Sequence, residues 1–273
     1  MSKPIPVVMC FSGFDPTGGA GIQADIEAIT SMGSHAAPII TAHTVQTTQN
    51  VMRFEAQDSM LLIEQSRAIL EDMDVKVIKI GMLASIEIIE AIHSLLKDYP
   101  ELPVVVDPIL RSGSGNELIE QDATNAIKNL ILPLTTILTP NSIEARLLAS
   151  EADSLAACAS ALQDRGCEYV LITGTHEKSD DVVNTLYANH RVMETFHWDR
   201  LPNKYHGSGC TLTASIAGLI AHGLEPFTAI NEAQNYTWQS LQQAYPLGRG
   251  QWIPNRFFWA RDAHGDEQTD EQD

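Results

Sequence analysis

Short apolar, β-branched runs alternate along this chain with segments whose apolar positions recur at helical spacing. The apolar runs lie at 6–11, 37–42, 75–80, 103–107, 135–139 and 169–173. The helical patterns lie near 19–32, 57–71, 85–97, 119–131, 142–149 and 154–165. Continuous apolar strands that alternate with helices are typical of a mostly parallel sheet with helices on both faces. The pattern therefore predicts an α/β fold.

The pattern changes after residue 173. The segments "VVNTLYA" (182–188) and "RVMETFHW" (191–198) favour an antiparallel hairpin, and two more helices are predicted near 209–222 and 226–243. Because no repeat, long linker or composition shift divides the chain, we expect a single domain over 1–255. The acidic residues after it predict a flexible tail over 256–273.

Composition narrows the function. The chain has 273 residues, 44% of them hydrophobic, and its 17 Lys and Arg against 35 Asp and Glu give a net charge of −18. This charge argues against nucleic-acid or membrane partners, since both are anionic. The four cysteines form no C-x-x-C pair, the N-terminal apolar stretch is too short for a signal peptide, and no 18-residue apolar span occurs. We therefore expect a cytoplasmic protein.

Polar residues and glycines follow each of the six predicted strands. In sheets of this kind ligands bind beyond the carboxyl ends of the strands. The loops at those ends are "SGFDPTGGAG" (12–21), "HTVQTT" (43–48), "GML" (81–83), "DPILRSGSG" (107–115), "PNSIEA" (140–145) and "GTHE" (174–177). Ordinary turn chemistry explains any one of them. Six such loops along one edge predict a binding site.

The first loop is rich in glycine. Gly13 and Gly18 have the spacing of a P-loop, but Gly19 stands where the P-loop lysine belongs, and the loop does not match G-x-G-x-x-G either. We expect its backbone to approach a small ligand closely, with Asp15 and Asp25 facing the cleft. A glycine-rich turn without a ligand is the alternative.

The segment "YHGSGCTLTASIAGLIAHG" (205–223) places glycines and a cysteine at the start of a predicted helix. Helix N-termini present unpaired N–H groups, so Gly207, Ser208, Gly209 and Cys210 predict an anion pocket. The same field is expected to lower the pKa of the Cys210 thiol. Together these features suit phosphoryl transfer. The alternative is that Cys210 is a small packing residue.

Carboxylates lie at two neighbouring strand ends. Asp107 follows the fourth run, and Glu144 lies three residues after Asn141 behind the fifth. They suit hydrated Mg²⁺ bound with nucleotide phosphates. Asn141 and Glu144 also have the spacing of a capping box, which leaves a purely structural role open.

Several motifs occur in one order: S-G-x-D-P-T-G-G-A-G-I-Q-A-D, T-A-x-x-x-Q, K-I-G-M-L, V-V-x-D-P, T-P-N-x-x-E-A and H-G-S-G-C-T-L. This set resembles the hydroxymethylpyrimidine/phosphomethylpyrimidine kinases of thiamine biosynthesis, which belong to the ribokinase-like superfamily. The resemblance covers residues 7 to about 240. It implies a three-layer α/β/α sandwich with a mostly parallel central sheet and the hairpin near its C-terminal edge.

The resemblance also implies a set of site residues. Cys210 is implied as the proton acceptor or catalytic thiol, beside the anion-binding Gly207, Ser208 and Gly209. The substrate-binding residues implied are Gly13, Asp15, Gly19, Ala20, Asp25, Thr44, Gln46 and Met82, with Gln46 reading the aminopyrimidine edge. Those for ATP are Asn141, Thr173, Gly174, Gly207 and Gly209, and those for Mg²⁺ are Asp107 and Glu144. A homodimer is usual in the family.

The chain departs from the family pattern at several positions. Thr173 and Gln234 stand where lysines are common, and Arg111 stands beside the position of another lysine. The run "PNKYHGSGC" (202–210) replaces the usual N-T-H-G-T-G-C. Losing two cations near the nucleotide points to weaker ATP binding, altered nucleotide choice or a divergent paralogue.

The function implied is ATP- and Mg²⁺-dependent phosphorylation of 4-amino-5-hydroxymethyl-2-methylpyrimidine, and then of its monophosphate to the diphosphate. A pyridoxal or pyridoxine kinase is the nearest alternative, since both substrates are flat heteroaromatic alcohols. A non-catalytic pyrimidine-binding regulatory paralogue is the second.

Overall fold

A computed structural model describes residues 4–110 and 121–261 of the chain. The described residues form a nine-stranded sheet in the order β3-β2-β1-β4-β5-β6-β7-β8-β9. The strands are β1 (Val7–Phe14), β2 (His35–Gln46), β3 (Val51–Ala56), β4 (Val75–Ile80), β5 (Val104–Val106), β6 (Ile137–Leu138), β7 (Tyr169–Ile172), β8 (Asp181–Ala188) and β9 (Arg191–Asp199).

The helices lie on both faces of this sheet. They are α1 (Gly21–Ser31), α2 (Ser59–Asp72), α3 (Ile86–Asp98), α4 (Gln121–Ala126), α5 (Ser142–Leu148), α6 (Leu155–Asp164), α7 (Ser208–Ala221), α8 (Pro226–Gln242) and α9 (Phe258–Arg261). A π-helical turn, Ile127–Ile131, and a 3₁₀ turn, Leu132–Leu134, follow α4. Buried apolar residues of α3, α5 and α6 fill the core on one face, and those of α1, α7 and α8 fill the core on the other. The predicted three-layer arrangement is confirmed.

The direction in which the strands pair is related to how deeply they are buried. From β2 through β1, β4, β5 and β6 to β7 every pair is parallel, and β8 and β9 add the antiparallel hairpin predicted at the C-terminal edge. Most residues of the central strands are apolar because helices cover both of their faces. Their carboxyl ends therefore meet at one edge, where the polar loops of the sequence come together.

The sequence patterns missed strand β3. It pairs antiparallel with β2, and β2 itself extends to Gln46, through residues that the sequence assigned to a loop. Every residue of β3 is half-buried or exposed, as expected of an edge strand. Such a strand has no continuous apolar run, so the pattern of apolar runs in the sequence does not predict it.

The predicted boundary between residues 255 and 256 is wrong. Arg256 is only 1% exposed, and the ring of Phe258 packs on that of Tyr236 at 5.7 Å between centroids. The fold therefore continues to α9 at least. Residues 262–273, the rest of the predicted tail, lie outside the described residues, and so does Arg111. No helix in 4–110 or 121–261 is long and apolar enough to span a membrane.

Candidate active site

A cleft of about 660 Å³ opens at the carboxyl ends of the parallel strands. All six parallel strands reach it near their carboxyl ends, through Gly13, Gln46, Met82, Asp107, Thr139 and Thr173. The first turn of α7 closes its floor, and α8 and the β8–β9 hairpin border one end. The predicted strand-end loops thus share one cavity.

Helix α7 begins at this cleft with an open N-terminus. Its N-cap, Gly207, has φ 83°, and no described side chain caps the helix. The next three residues, Ser208, Gly209 and Cys210, line the cleft. Position 207 requires glycine, because the φ angle is left-handed and a Cβ there would collide with the Gly19 carbonyl. The uncapped first turn therefore has amide donors to offer to an anion.

The Cys210 thiol lies inside this first turn and is buried. Burial first, and repulsion by the neighbouring Asp107 carboxylate second, raise the pKa of Cys210 to about 12. The expected lowering of this pKa is wrong, since desolvation and a nearby negative charge outweigh the field of the helix. Cys210 is therefore a neutral thiol in this arrangement.

Two buried carboxylates face the cleft near α7. Burial raises the pKa of Asp107 to about 6, although attraction to Lys79 opposes the shift. The pKa of Glu144 rises to about 8 because of burial first and repulsion by Asp107 second. Asp107 Oδ2 lies about 3.3 Å from where a Cβ of Gly209 would be and has no hydrogen-bond partner among the described residues. A pair of repelling carboxylates with an unpartnered oxygen fits a divalent cation whose other ligands come from phosphate and water.

The capping box predicted at α5 is present. Asn141 Oδ1 accepts from the backbone N–H groups of Ile143 (2.9 Å) and Glu144 (3.0 Å), and Glu144 Oε2 accepts from Asn141 N (2.9 Å). Asn141 and Glu144 also line the cleft. Their structural role is therefore established, and their part in binding ATP and Mg²⁺ stays a prediction.

The opposite end of the cleft holds most of the predicted alcohol-binding residues. Its lining there includes Gly13, Asp15, Ala20, Gly21, Thr44, Gln46 and Met82. Met82 Sδ lies 3.1 Å from where a Cβ of Gly13 would be, so methionine and glycine are packed face to face. Gly21 has φ 59°, and a Cβ there would collide with the Gly13 carbonyl. The glycines thus let this loop fold tightly on β1.

His206 connects Gln46 with Asp15. His206 Nε2 lies 2.8 Å from Asp15 Oδ2 and 3.3 Å from Gln46 Nε2. Burial opposes ionisation of Asp15, but hydrogen bonds from His206 and Thr17 N lower its pKa to about 2. The Asp15 carboxylate accepts a hydrogen bond from His206 Nε2. The Gln46 amide lies against this pair and also lines the cleft.

Asp25 does not face the cleft, contrary to prediction. It is completely buried, and its carboxylate pairs with Lys79 Nζ at 2.8 Å and accepts from Ser12 Oγ at 2.5 Å. Burial lowers the pKa of Lys79, but attraction to Asp25, together with Cys210 and Asp107, outweighs it and holds that pKa above its usual range. Helix α1 turns Asp25 toward the sheet, where β4 supplies the lysine. The pair is a structural support beneath the site.

Two of the predicted glycines also lie outside the cleft lining. The Gly19 carbonyl accepts from Arg256, and the His206 ring occupies the space where a side chain of Gly19 would be. Gly174 N donates to Asn184 Oδ1 at 3.0 Å, and the Val183 carbonyl blocks the space beside its Cα. In each case a neighbouring segment packs on the glycine, and the predicted contacts with a ligand stay predictions.

Thr173 and Gln234, which replace family lysines, lie at the α8 end of the cleft. Gln234 Oε1 accepts from Asn184 Nδ2 (2.9 Å) and Trp198 Nε1 (3.3 Å). Gln234 is 3% exposed and has an uncharged side chain. A neutral, hydrogen-bonded cluster has replaced the cation expected there.

Three residues of the site went unrecognised in the sequence. His206 stands inside a motif that had been singled out, so its position beside Gly207 was the available signal. Asn184 and Trp198 belong to the β8–β9 hairpin, where polar and aromatic residues are ordinary. Nothing in the local pattern distinguishes them, because only the packing of the hairpin against α8 brings them to the cleft.

Comparison with known proteins agrees with this geometry. The family model described as phosphomethylpyrimidine kinase matches residues 15–255. A hydroxymethylpyrimidine/phosphomethylpyrimidine kinase of Mycobacterium tuberculosis is 36% identical over 251 residues, which cover 90% of this chain and 91% of that protein.

Solved structures show the same fold. The phosphomethylpyrimidine kinase of Clostridium difficile 630 superposes with a TM-score of 0.74 at 30% identity, covering 86% of this chain and 98% of that chain. An ADP complex of Bacillus subtilis pyridoxal kinase superposes with a TM-score of 0.84 at 24% identity, covering 94% and 100%. The predicted ribokinase-like fold and kinase family are confirmed. This chain belongs to the phosphomethylpyrimidine kinase family.

Proposed function

We propose that this kinase transfers the terminal phosphoryl group of ATP to the hydroxymethyl group of 4-amino-5-hydroxymethyl-2-methylpyrimidine, and then phosphorylates the monophosphate to the diphosphate. The observation that carries the proposal is one cleft lined both by the open N-terminus of α7 and by Gln46 of β2. Family membership and the name of the mycobacterial relative support the same reaction.

The α7 end supplies the electrostatic part of the mechanism. The unpaired amides of the first turn stabilise negative charge on the phosphoryl group as it moves between oxygens. The substrate hydroxyl gives up its proton at Cys210, a neutral thiol beside Asp107. Since a neutral thiol takes this proton only as it releases its own, an oxygen of the phosphoryl group receives the thiol proton, and both carboxylates stay free for the cation.

Asp107 and Glu144 are the residues that would hold Mg²⁺ with the phosphates of ATP. When bound, the ion neutralises phosphate charge and orients the terminal phosphoryl group. It would also relieve the repulsion between the two carboxylates. Asn141 and Thr173, joined by a β-bridge, are proposed to border the nucleotide on the same side.

The β2 end supplies the selection of the alcohol. A primary amide donates to a ring nitrogen and accepts from an exocyclic amine at once, and 4-aminopyrimidine offers both partners. Met82 and the glycine loop provide an apolar and backbone surface for the flat ring. The family resemblance further supports a homodimer in the cytoplasm.

The test compares turnover of two alcohols, the aminopyrimidine and pyridoxine, in wild type and in Gln46→Leu. An unpaired amine in the variant complex costs about 1–3 kcal/mol, or on the order of 5- to 150-fold in kcat/KM for the aminopyrimidine. Pyridoxine phosphorylation should fall much less. A larger loss for pyridoxine would identify a pyridoxal-type kinase instead, and no turnover of either alcohol would favour the regulatory paralogue.

A further inference from the structure

The segment after Ile253 enters the core of the fold at the point where residues 17–21 lie against the first turn of α7. Trp252 exchanges backbone hydrogen bonds with the residues just before the α7 N-terminus, since Trp252 N donates to Lys204 O (2.8 Å) and His206 N donates to Trp252 O (2.9 Å). Four residues after Trp252 comes Arg256, whose carbonyl accepts from Ser31 Oγ (2.8 Å) and Tyr236 OH (2.6 Å). The main chain of Arg256 is therefore held by α1 and α8.

The side chain of Arg256 is fully buried and reaches three different elements. Its Nε donates to Thr211 Oγ1 in α7 (2.8 Å), its Nη2 donates to the Gly19 carbonyl (2.5 Å), and its Nη1 donates to Glu27 Oε2 in α1 (3.0 Å). Three hydrogen bonds in one plane suit the fixed fork of a guanidinium, and the single nitrogen of a lysine has no equivalent geometry. The ionic partner, Glu27, balances the buried charge.

These contacts reach both walls of the reaction site. Thr211 Oγ1 accepts from Arg256 and donates its own hydrogen to the Gly207 carbonyl (2.8 Å), so the fork is linked to the residue that opens α7. On the other side, Gly19 adjoins Ala20 and Gly21, which line the alcohol end of the cleft. The Gly19 carbonyl also packs directly on Gly207, where a Cβ would not fit. One side chain therefore spans the loop for the alcohol and the turn for the phosphate.

We propose that Arg256 is a positioning residue for phosphoryl transfer, which fixes the spacing between residues 17–21 and the first turn of α7. This inference rests on the proposed kinase function for its catalytic consequence. Rates of group transfer are sensitive to the distance between the reacting groups, and a misplacement of about 1 Å costs on the order of 100-fold. Arg256 does not line the cleft, so it acts only through the loops that it holds.

The experiment compares wild type with Arg256→Ala, Arg256→Lys and a control, Leu162→Ala, which removes a buried side chain of α6 on the opposite face of the sheet. We expect kcat of Arg256→Ala to fall about 100-fold, with KM for the alcohol changing far less. Arg256→Lys keeps the charge but not the fork, and its kcat should also fall. Added ethylguanidinium should recover part of the kcat of Arg256→Ala.

Hydrogen exchange in the same proteins provides a readout that needs no kinase activity. Arg256→Ala should speed exchange in residues 17–21 and 207–211, and Leu162→Ala should not. Unchanged exchange in these loops would overturn the inference, and so would a wild-type kcat in either Arg256 variant or an equal loss of kcat in Leu162→Ala. If wild type itself shows no turnover, the proposed function fails, and the exchange data still decide whether Arg256 holds the two loops.

Discussion

The N-termini of helices α5 and α7 open on the same cleft but differ in how their amides are used. At α5, Asn141 and Glu144 satisfy one another's backbone groups in a complete capping box. At α7, Gly207 has no side chain and no described residue takes its place as a cap. A helix whose first amides are already paired has less to offer an anion than one whose amides are free.

The two helices also differ in the acidic groups of their first turns. Glu144 places a carboxyl group at the start of α5, where burial raises its pKa to about 8 and a bound cation would favour the ionised form. Helix α7 has no acidic residue in its first turn. Under the proposed function, the comparison favours the cation on the α5 side and the transferring phosphate on the α7 side. The predictions below test this division, beginning with the largest expected effect.

The largest effect is expected at the open helix. Cys210→Ala removes the group that receives the hydroxyl proton and keeps the anion-binding amides, so kcat should fall by about 10²–10⁴-fold. The measurement is steady-state kcat, with thermal unfolding to show that the fold is intact. A variant with nearly wild-type kcat would mean that Cys210 only packs.

At the closed helix, Glu144→Gln separates charge from capping. Glutamine at this position still completes a capping box, so the stability should change little. Loss of the carboxylate should raise the Mg²⁺ concentration required for half-maximal rate by about 10- to 100-fold.

Mg²⁺ titrations that coincide for Glu144→Gln and wild type would show that Glu144 is only part of the cap. Asp107→Asn tests the same cation site through the other carboxylate. Pyrimidine affinity measured without nucleotide should stay the same in both variants.

Gly207→Ala tests the shape of the open helix, and the chain offers a matched control at the other end of α7. Gly207 and Gly223 share φ 83°, but only Gly207 has backbone packed where a Cβ would be. Left-handed strain should cost each alanine variant roughly 1–2 kcal/mol of unfolding free energy. Only Gly207→Ala should weaken ATP binding as well, by about tenfold, which is about 1.4 kcal/mol.

Isothermal titration with a non-hydrolysable ATP analogue provides the affinities for this pair of variants. Equal affinities of the two variants for the ATP analogue would show that the Gly207 turn is not part of the phosphate site.

The smallest effect is expected from Asn141→Ala. Losing this cap should lower the free energy of unfolding by about 1 kcal/mol, measured by urea denaturation. The KM for ATP should change less than in Gly207→Ala, because the α5 amides are already paired. A change in the KM for ATP whose free-energy equivalent exceeds the loss of unfolding free energy would instead place Asn141 against the nucleotide, as the family resemblance implies.

Much of the fold was legible in the sequence. The central strands are mostly apolar and alternate with helical patterns along the chain, so a parallel sheet covered on both faces was the consistent solution. The capping box of Asn141 and the uncapped glycines at 207 and 209 were visible too, because both are local patterns of a few residues. Edge strand β3 was not visible in the sequence, since its alternation is weak and its pairing with β2 is antiparallel.

The sequence by itself determined which elements form, and that the glycine loop, Gln46, Asp107, Glu144 and Cys210 gather at one edge of the sheet. Only the tertiary structure decided that Asp25 turns away to pair with Lys79, that burial beside Asp107 raises the pKa of Cys210, and that Arg256 enters the core. The physical reason is the range of the interactions. Periodicity and capping act within a few residues, whereas desolvation, ion pairing and close backbone contact depend on segments that are remote along the chain.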